Sequence, residues 1–123
     1  MKTITKPPTP PPIKDDHAHT DGRGIIVMIT GNTEKQVSVK DAMEIIVDKL
    51  SFMRVERIFA YGSGVENAAR IASKTLNCAF RPVAFEYINL LGIRPHIIIQ
   101  FGVVMGGDQY RKLIATTQKV IIV

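Results

Sequence analysis

The alternation of apolar and polar positions divides this 123-residue chain into short elements. An unbroken apolar run covers residues 25–30, which is typical of a strand buried on both faces. Apolar residues then recur at helical spacing from Val39 to Leu50, with Ser38 in position to cap the helix. The pattern therefore begins with a strand and an amphipathic helix.

The same succession of strand and helix follows once more. Residues 55–61 predict a second strand that runs into a glycine turn. Residues 65–76 predict a second helix, with small apolar side chains on one side and charged side chains elsewhere. Two strand–helix units in succession indicate an α/β protein.

The pattern predicts mainly strands in the last third of the chain. Residues 81–90 alternate like a half-exposed strand, and residues 96–104 predict a fourth strand. Residues 106–123 predict a short helix and a last strand, and residues 117–123 are an alternative position for the fourth strand. The prediction is a two-layer α/β sandwich in the order β-α-β-α-β-β, with a mixed sheet, helices on one face and a C-terminal extension.

The first 23 residues differ in composition from the rest. They contain the run KPPTPPPIK and a polar stretch with Asp15, His17 and His19. Such a segment has little to bury, so residues 1–23 are predicted to form a disordered arm and residues 24–123 a single domain. Ligands on a disordered arm do not hold a coordination geometry, so we expect no metal site there.

Charge and cysteine content narrow the class of protein. Sixteen Lys and Arg against eleven Asp and Glu give a net charge of +5, which permits a polyanionic partner. A single cysteine excludes an intramolecular disulfide and a multi-cysteine zinc site. No apolar run approaches the roughly 18 residues that a membrane span needs. We expect a cytoplasmic protein with no membrane partner and no cofactor.

The sharpest chemical feature is the turn Gly62-Ser63-Gly64 between the second strand and the second helix. Two glycines allow a tight turn, and the helix N-terminus beyond them offers N–H groups that can hold a phosphate. The dinucleotide fingerprint is incomplete, because Asn67 stands where its third glycine would be. The nucleophile elbow also fails, because Tyr61 stands at its first glycine. A plain strand-to-helix turn is the alternative.

No catalytic constellation accompanies this turn. The sequence contains no P-loop, no paired carboxylates and no Ser-His-Asp grouping. Cys78 is predicted to be a small buried residue rather than a nucleophile, and His96 is predicted to be structural. We therefore expect a protein that is not an enzyme.

The element order and three local patterns resemble the Alba family of small archaeal chromatin and RNA-binding proteins. The patterns are the entry to the first helix at residues 34–37 (EKQV), the strand and turn over residues 55–64, and the small-residue helix that follows. The resemblance spans about residues 24–104. It implies sequence-independent binding of DNA or RNA by a homodimer or heterodimer, which would be nucleoid-associated in an archaeon.

The resemblance also implies a set of binding residues, with Lys35 on the nucleic-acid backbone and Gly64 in the turn. The predicted nucleic-acid-binding residues are Lys35, Lys40, Ser63, Gly64, Arg70 and Lys74. Because Glu34, Ser63 and Val65 replace basic residues of the family, we expect few phosphate contacts. Two alternatives stay open: a small domain that binds a phosphate-bearing ligand at the turn Gly62–Gly64, and an assembly subunit whose apolar strands pack on a partner.

Overall fold

The computed structural model describes residues 24–32, 37–104 and 107–123. In chain order, the elements within these residues are β1 (Ile25–Gly31), α1 (Val39–Leu50), β2 (Val55–Tyr61), α2 (Val65–Leu76), β3 (Ala79–Pro82), α3 (Phe85–Leu90), β4 (Ile97–Phe101), α4 (Gly107–Thr116) and β5 (Lys119–Ile122). The strands form one sheet in the order β3-β2-β1-β4-β5, and every neighbouring pair is parallel.

Strand β1 lies at the centre of the sheet, between β2 and β4. Its residues Val27, Met28 and Ile29 are completely buried. An unbroken apolar run is what a parallel strand covered on both faces requires, because neither set of its alternating side chains reaches water. The unbroken apolar sequence of β1 therefore matches its position at the centre of the sheet, where both of its faces are covered.

Helices cover both faces of the sheet and create two separate cores. Helices α1 and α2 pack on one face, where the buried cluster includes Val27, Ile29, Ile46, Leu50 and Ala72. Helices α3 and α4 pack on the other face, where the buried cluster includes Met28, Phe59, Phe85, Ile88 and Leu113. None of the helices in the described part of the chain is long and apolar enough to cross a bilayer.

The predicted α/β class is confirmed, and so are the first two strands and helices. The sheet is parallel throughout rather than mixed, and α3 and α4 add helices on the face that the prediction left uncovered. The physical reason lies in residues 81–90, which end β3 and then form α3 instead of a strand. The connection through α3 carries the chain from β3, at one edge, past β2 and β1, so that β4 can pair parallel with β1.

The remaining fold predictions concern the last strands and the first 23 residues. Strand β4 is confirmed within residues 96–104, and the short helix and last strand of the C-terminal extension are confirmed as α4 and β5. Strand β5 pairs with β4 at the edge of the sheet, so it adds a fifth strand rather than replacing the fourth. The predicted arm, residues 1–23, lies outside the described residues.

His96 fastens the start of β4 to β1, as a structural histidine does. Its backbone N–H donates to the carbonyl oxygen of Ile26 at 2.8 Å, and its Nδ1 accepts from the N–H of Ile26 at 3.0 Å. The imidazole thus takes the place of a backbone acceptor next to the first rung of the ladder between β1 and β4. The prediction that His96 is structural is confirmed.

Tyr110 joins α4 to the end of β4 through a short chain of hydrogen bonds. Its hydroxyl donates to Oε1 of Gln100 at 2.7 Å, and Nε2 of Gln100 donates to the carbonyl oxygen of Gly102 at 2.7 Å. The Tyr110 ring also packs on Phe85, with the ring centroids 4.8 Å apart. The side chain of Gln100, itself bonded to Tyr110 of α4, therefore holds the start of the loop that follows β4.

We predict that Gly31→Ala lowers the free energy of unfolding by at least about 2 kcal/mol, measured by chemical denaturation followed by circular dichroism. Gly31 has a φ of +114°, and a Cβ there would lie 2.0 Å from the carbonyl oxygen of Phe101. The matched control is Gly92→Ala, with a φ of +73° and nothing within 4 Å of the added Cβ. The control loses only about 1 kcal/mol. Equal losses for the two variants would contradict the importance of the contact with Phe101.

A second prediction concerns alkaline pH. Burial raises the pKa of Tyr110 from 10.0 to about 12, so the folded chain holds the phenol proton more tightly than the unfolded chain. The stability that this group contributes is complete below pH 10 and is lost as the pH rises through 12. We expect Tyr110→Phe to be about 1 kcal/mol less stable at neutral pH, because Gln100 loses its donor. In denaturant titrations across this range, the difference from the wild-type chain should narrow, and a constant difference would contradict the prediction.

Candidate ligand-binding crevice

Three neighbouring strands end in glycines at the same edge of the sheet. Gly31 is the last residue of β1, Gly62 follows β2 and Gly102 follows β4. Their φ angles are +114°, +141° and +70°, which residues other than glycine rarely adopt. The chain therefore leaves the sheet abruptly at the carboxyl ends of its three central strands.

These glycines also allow the three backbones to approach closely. A Cβ on Gly62 would lie 2.1 Å from the carbonyl oxygen of Gly31, and a Cβ on Gly31 would lie 2.0 Å from that of Phe101. Larger residues would push the strand ends apart. The carbonyl groups of the neighbouring strand ends occupy the positions that side chains of Gly31 and Gly62 would take, so the two glycines are required for the close packing of this edge.

The same edge contains the point where the direction of the connections across the sheet reverses. After β1 the chain passes to β2 on one side, and after β4 it passes to β5 on the other. The loops that follow β1 and β4 therefore lead to opposite faces of the sheet and leave a crevice between them. In open parallel α/β sheets, ligands bind in this crevice at the carboxyl ends of the strands.

A cavity of about 240 Å³ occupies this position. Its lining consists of Thr30, Gly31, Asn32, Tyr61, Gly62, Ser63, Phe85, Val103 and Val104. Tyr61 is 44% exposed, and its ring meets that of Phe85 edge to face, with the centroids 5.1 Å apart. Thr30 is buried, and its hydroxyl donates to the carbonyl oxygen of Tyr61 at 2.8 Å. The cavity thus has a wall of apolar and aromatic side chains beside glycine backbone.

Helix α2 begins at the mouth of this cavity. Its N-cap is Gly64, which has a φ of +81° and contributes no side-chain hydrogen bond to the first turn. The carboxylate of Glu66 is close by and accepts from the N–H of Gly62 at 3.4 Å. A helix N-terminus attracts anions through its N–H groups and its dipole, whereas the Glu66 carboxylate repels them. These two effects oppose each other at one turn.

The structure brings together only part of the predicted site. Ser63 lines the cavity and Gly64 is the N-cap of α2 next to it, whereas Lys40 lies in the first turn of α1. Arg70 and Lys74 are exposed farther along α2, where the Arg70 guanidinium donates to the side-chain oxygen of Asn67. Lys35 lies outside the described residues. Within the described residues, the cavity lining contains no lysine or arginine.

The sequence reasoning missed several residues of the cavity, although some of them carried a signal. An apolar strand followed at once by glycine occurs at Gly31, Gly62 and Gly102, and only Gly62 was recognised. Phe85 was missed because residues 81–90 were predicted to be a strand, which gave no reason to place its ring in the cavity. Val103 was missed because it was included in the fourth strand, whereas β4 ends before it.

Cys78 is a further candidate for chemistry, and it does not line the crevice. Cys78 is half-buried against the core formed with α1 and α2, and burial raises the pKa of its thiol to about 11. A thiol of this kind is protonated at neutral pH and reacts poorly as a nucleophile, in agreement with the predicted packing role. In the described ranges, no group of three or more His, Cys, Asp and Glu side chains is placed to hold a metal ion. The Asp15–His19 cluster falls outside those ranges.

Comparison with known proteins does not identify a ligand for the crevice. No known family model, no curated protein and no solved structure matches this chain.

Proposed function

We propose that this chain binds a small phosphate-bearing molecule in the crevice, with the phosphate at the turn Gly62–Gly64. The observation that carries the proposal is the position of this turn. It follows β2 and precedes α2, and it lies at the edge of the sheet where the direction of the connections between parallel strands reverses. Turns of this kind bind phosphates in many α/β proteins through backbone N–H groups and the positive end of the helix dipole.

The size and the wall of the cavity narrow the class of ligand. Ser63 lines both this cavity of about 240 Å³ and a second cavity of about 520 Å³ that Gly64 also lines, so a ligand as large as a mononucleotide can occupy the site. Tyr61, Phe85 and Val103 offer an apolar surface on which a sugar ring or a planar group can pack. A sugar phosphate, or the sugar and phosphate of a mononucleotide, has the required dimensions and chemistry.

Nucleic-acid binding stays a second prediction, because the chain carries a net charge of +5. Exposed Lys40, Arg70 and Lys74 lie on α1 and α2, which pack side by side on one face of the sheet. A surface that neutralises several phosphates of a long polyanion loses affinity steeply as the salt concentration rises. Titrations of duplex DNA, single-stranded RNA and the small ligands over a salt series therefore separate the two functions.

A negative charge introduced at the turn tests the proposal directly. We expect Ser63→Asp to weaken binding of ADP or ribose 5-phosphate at least about tenfold in calorimetric titrations, because the added carboxylate would face the phosphate. Ser63 is exposed, so the stability of the fold should change little. The control is Gln118→Asp, which adds the same charge at an exposed position before β5, at the amino end of the sheet.

The proposal is wrong if neither ligand binds the wild-type chain, or if both variants bind equally well. Inorganic phosphate, titrated alone, shows how much of the affinity comes from the turn without the rest of the ligand.

Glu66 gives a prediction of the opposite sign. Its carboxylate accepts from the Gly62 N–H that a bound phosphate would use, and it repels the phosphate. We expect Glu66→Gln to bind inorganic phosphate about threefold or more tightly than the wild-type chain, measured by titration followed by NMR. Glu44→Gln, on the exposed side of α1, makes the same charge change away from the crevice and should bind as the wild type does. Equal or weaker binding of inorganic phosphate by Glu66→Gln would contradict the prediction.

A further inference from the structure

A groove lies between α1 and the end of β5, on the face of the sheet that α1 and α2 cover. Two helices side by side cover about 20 Å of a sheet, the width of about four strands. Helix α2 contacts β1, β2 and β3, and α1 packs beside α2, so the strand left uncovered on this face is β5, at the opposite edge. The groove therefore exists because the sheet is wider than its layer of helices.

The groove combines apolar and acidic side chains. Its volume is about 650 Å³. In the described part of the chain its lining consists of four apolar residues (Val37, Ile45, Ile122, Val123), three acidic ones (Asp41, Glu44, Asp48) and Lys49. Ile122 is 70% exposed and Val123 is 41% exposed, although both are apolar. We call this feature the α1–β5 groove.

Negative charge is concentrated in the α1–β5 groove, although the chain as a whole is positive. The described ranges contain seven Asp and Glu residues, so nearly half of them lie in this one groove. The spacing of Asp41, Glu44 and Asp48 puts the three carboxylates on one side of α1, and all three residues are exposed. The groove is therefore complementary to an occupant that is both basic and apolar.

The first fourteen residues of the chain have this chemistry. They contain Lys2, Lys6 and Lys14, no acidic residue, two isoleucines and five prolines. Proline offers an apolar ring for packing, and its fixed φ reduces the conformational entropy that a segment loses when it docks. The segment thus matches the groove in charge and in apolar character.

The connection to the folded part is long enough for this segment to reach the groove. The described chain begins at Gly24, just before β1. Strand β5 lies two strands from β1, or about 10 Å across the sheet, and its length adds about 13 Å. The chain from Lys14 to Gly24 can span up to about 33 Å. The segment therefore reaches the α1–β5 groove without any change in the sheet.

Other surfaces near Gly24 fit the segment less well. On the same face of the sheet, α2 exposes Arg70 and Lys74, which repel a basic segment. On the opposite face, α3 exposes the apolar side chain of Leu90 but contains a single carboxylate, that of Glu86. Charge therefore favours the α1–β5 groove over both helices.

We propose that residues 2–14 of this chain dock in the α1–β5 groove and form a strap beside the edge strand β5. The lysines face the carboxylates of α1, and the isoleucines and prolines cover Ile122 and Val123. Covering an edge strand with another segment is one way in which proteins prevent unwanted pairing at a sheet edge. The α1–β5 groove shares no residue with the lining of the crevice, so this proposal does not rest on the proposed ligand.

Paramagnetic relaxation in the full chain tests the contact. A nitroxide is attached at Thr9→Cys in a Cys78→Ala background, so that the chain carries one label. The label should broaden the amide NMR signals of Ile45 and Ile122 at least about threefold more than that of Lys74 on α2, relative to the reduced nitroxide. Broadening at the groove that is no stronger than on α2 overturns the proposal.

A mixed sample shows whether the contact is made within one chain. It combines nitroxide-labelled chain at natural isotope abundance with an equal amount of ¹⁵N-labelled chain without nitroxide. The signals of Ile45 and Ile122 should stay sharp in this sample. If they broaden as much as in the directly labelled chain, the segment docks on another copy, and the proposed strap within one chain is wrong.

Charge reversal tests the complementarity in the same labelled chain. Glu44→Lys should reduce the broadening of Ile122 at least about threefold, because it places a positive charge against the basic segment. The matched control is Glu86→Lys, which makes the same change at an exposed position of α3 and should leave the broadening unchanged. Lys6→Glu added to Glu44→Lys should recover about half of the loss or more. A control that loses as much as Glu44→Lys, or a double variant that recovers nothing, overturns the proposal.

Discussion

The contact on which the rest of the structure depends is the meeting of three backbones at the carboxyl ends of β4, β1 and β2. The Gly31 position lies against the carbonyl of Phe101, and the Gly62 position lies against the carbonyl of Gly31, at distances that no Cβ tolerates. This close approach lets the central strands end level with one another. It also turns the chain out of the sheet there, so that the loops can diverge toward opposite faces. The cavity lies beside these closely packed strand ends.

The same edge explains why the site combines backbone and aromatic surfaces. Glycines bare the backbone at the strand ends, and the space beside them is bounded by the rings of Tyr61 and Phe85. Tyr110 supports this wall from behind through its contact with Phe85 and its hydrogen bond to Gln100. The candidate site is thus assembled from β1, β2 and β4 together with α3 and α4, and no single segment of the chain contains it.

How much the sequence could predict depended on the length of each periodic segment. Helices α1 and α2 have twelve residues each, enough for the helical period to be visible, and β1 reveals its burial by its unbroken apolar run. Helix α3 has six residues, under two turns, and its sequence FEYINL alternates well enough to be mistaken for a strand. That one error changed a parallel sheet into a mixed one. The turn Gly62–Gly64 was visible as local chemistry, but its partners Gly31 and Phe85 are neighbours only in the folded chain.

The central position of β1 also has a consequence for the synthesis of the chain. Residues 25–82 contain β1, β2 and β3 with the two helices between them, so this part of the sheet can assemble as soon as it leaves the ribosome. The other edge of β1 pairs with β4, whose residues lie about seventy positions later in the chain. Until Phe101 has emerged, a nascent chain exposes an unpaired strand composed almost entirely of Ile, Val and Met. Such an edge is a template for aggregation until β4 has paired with it.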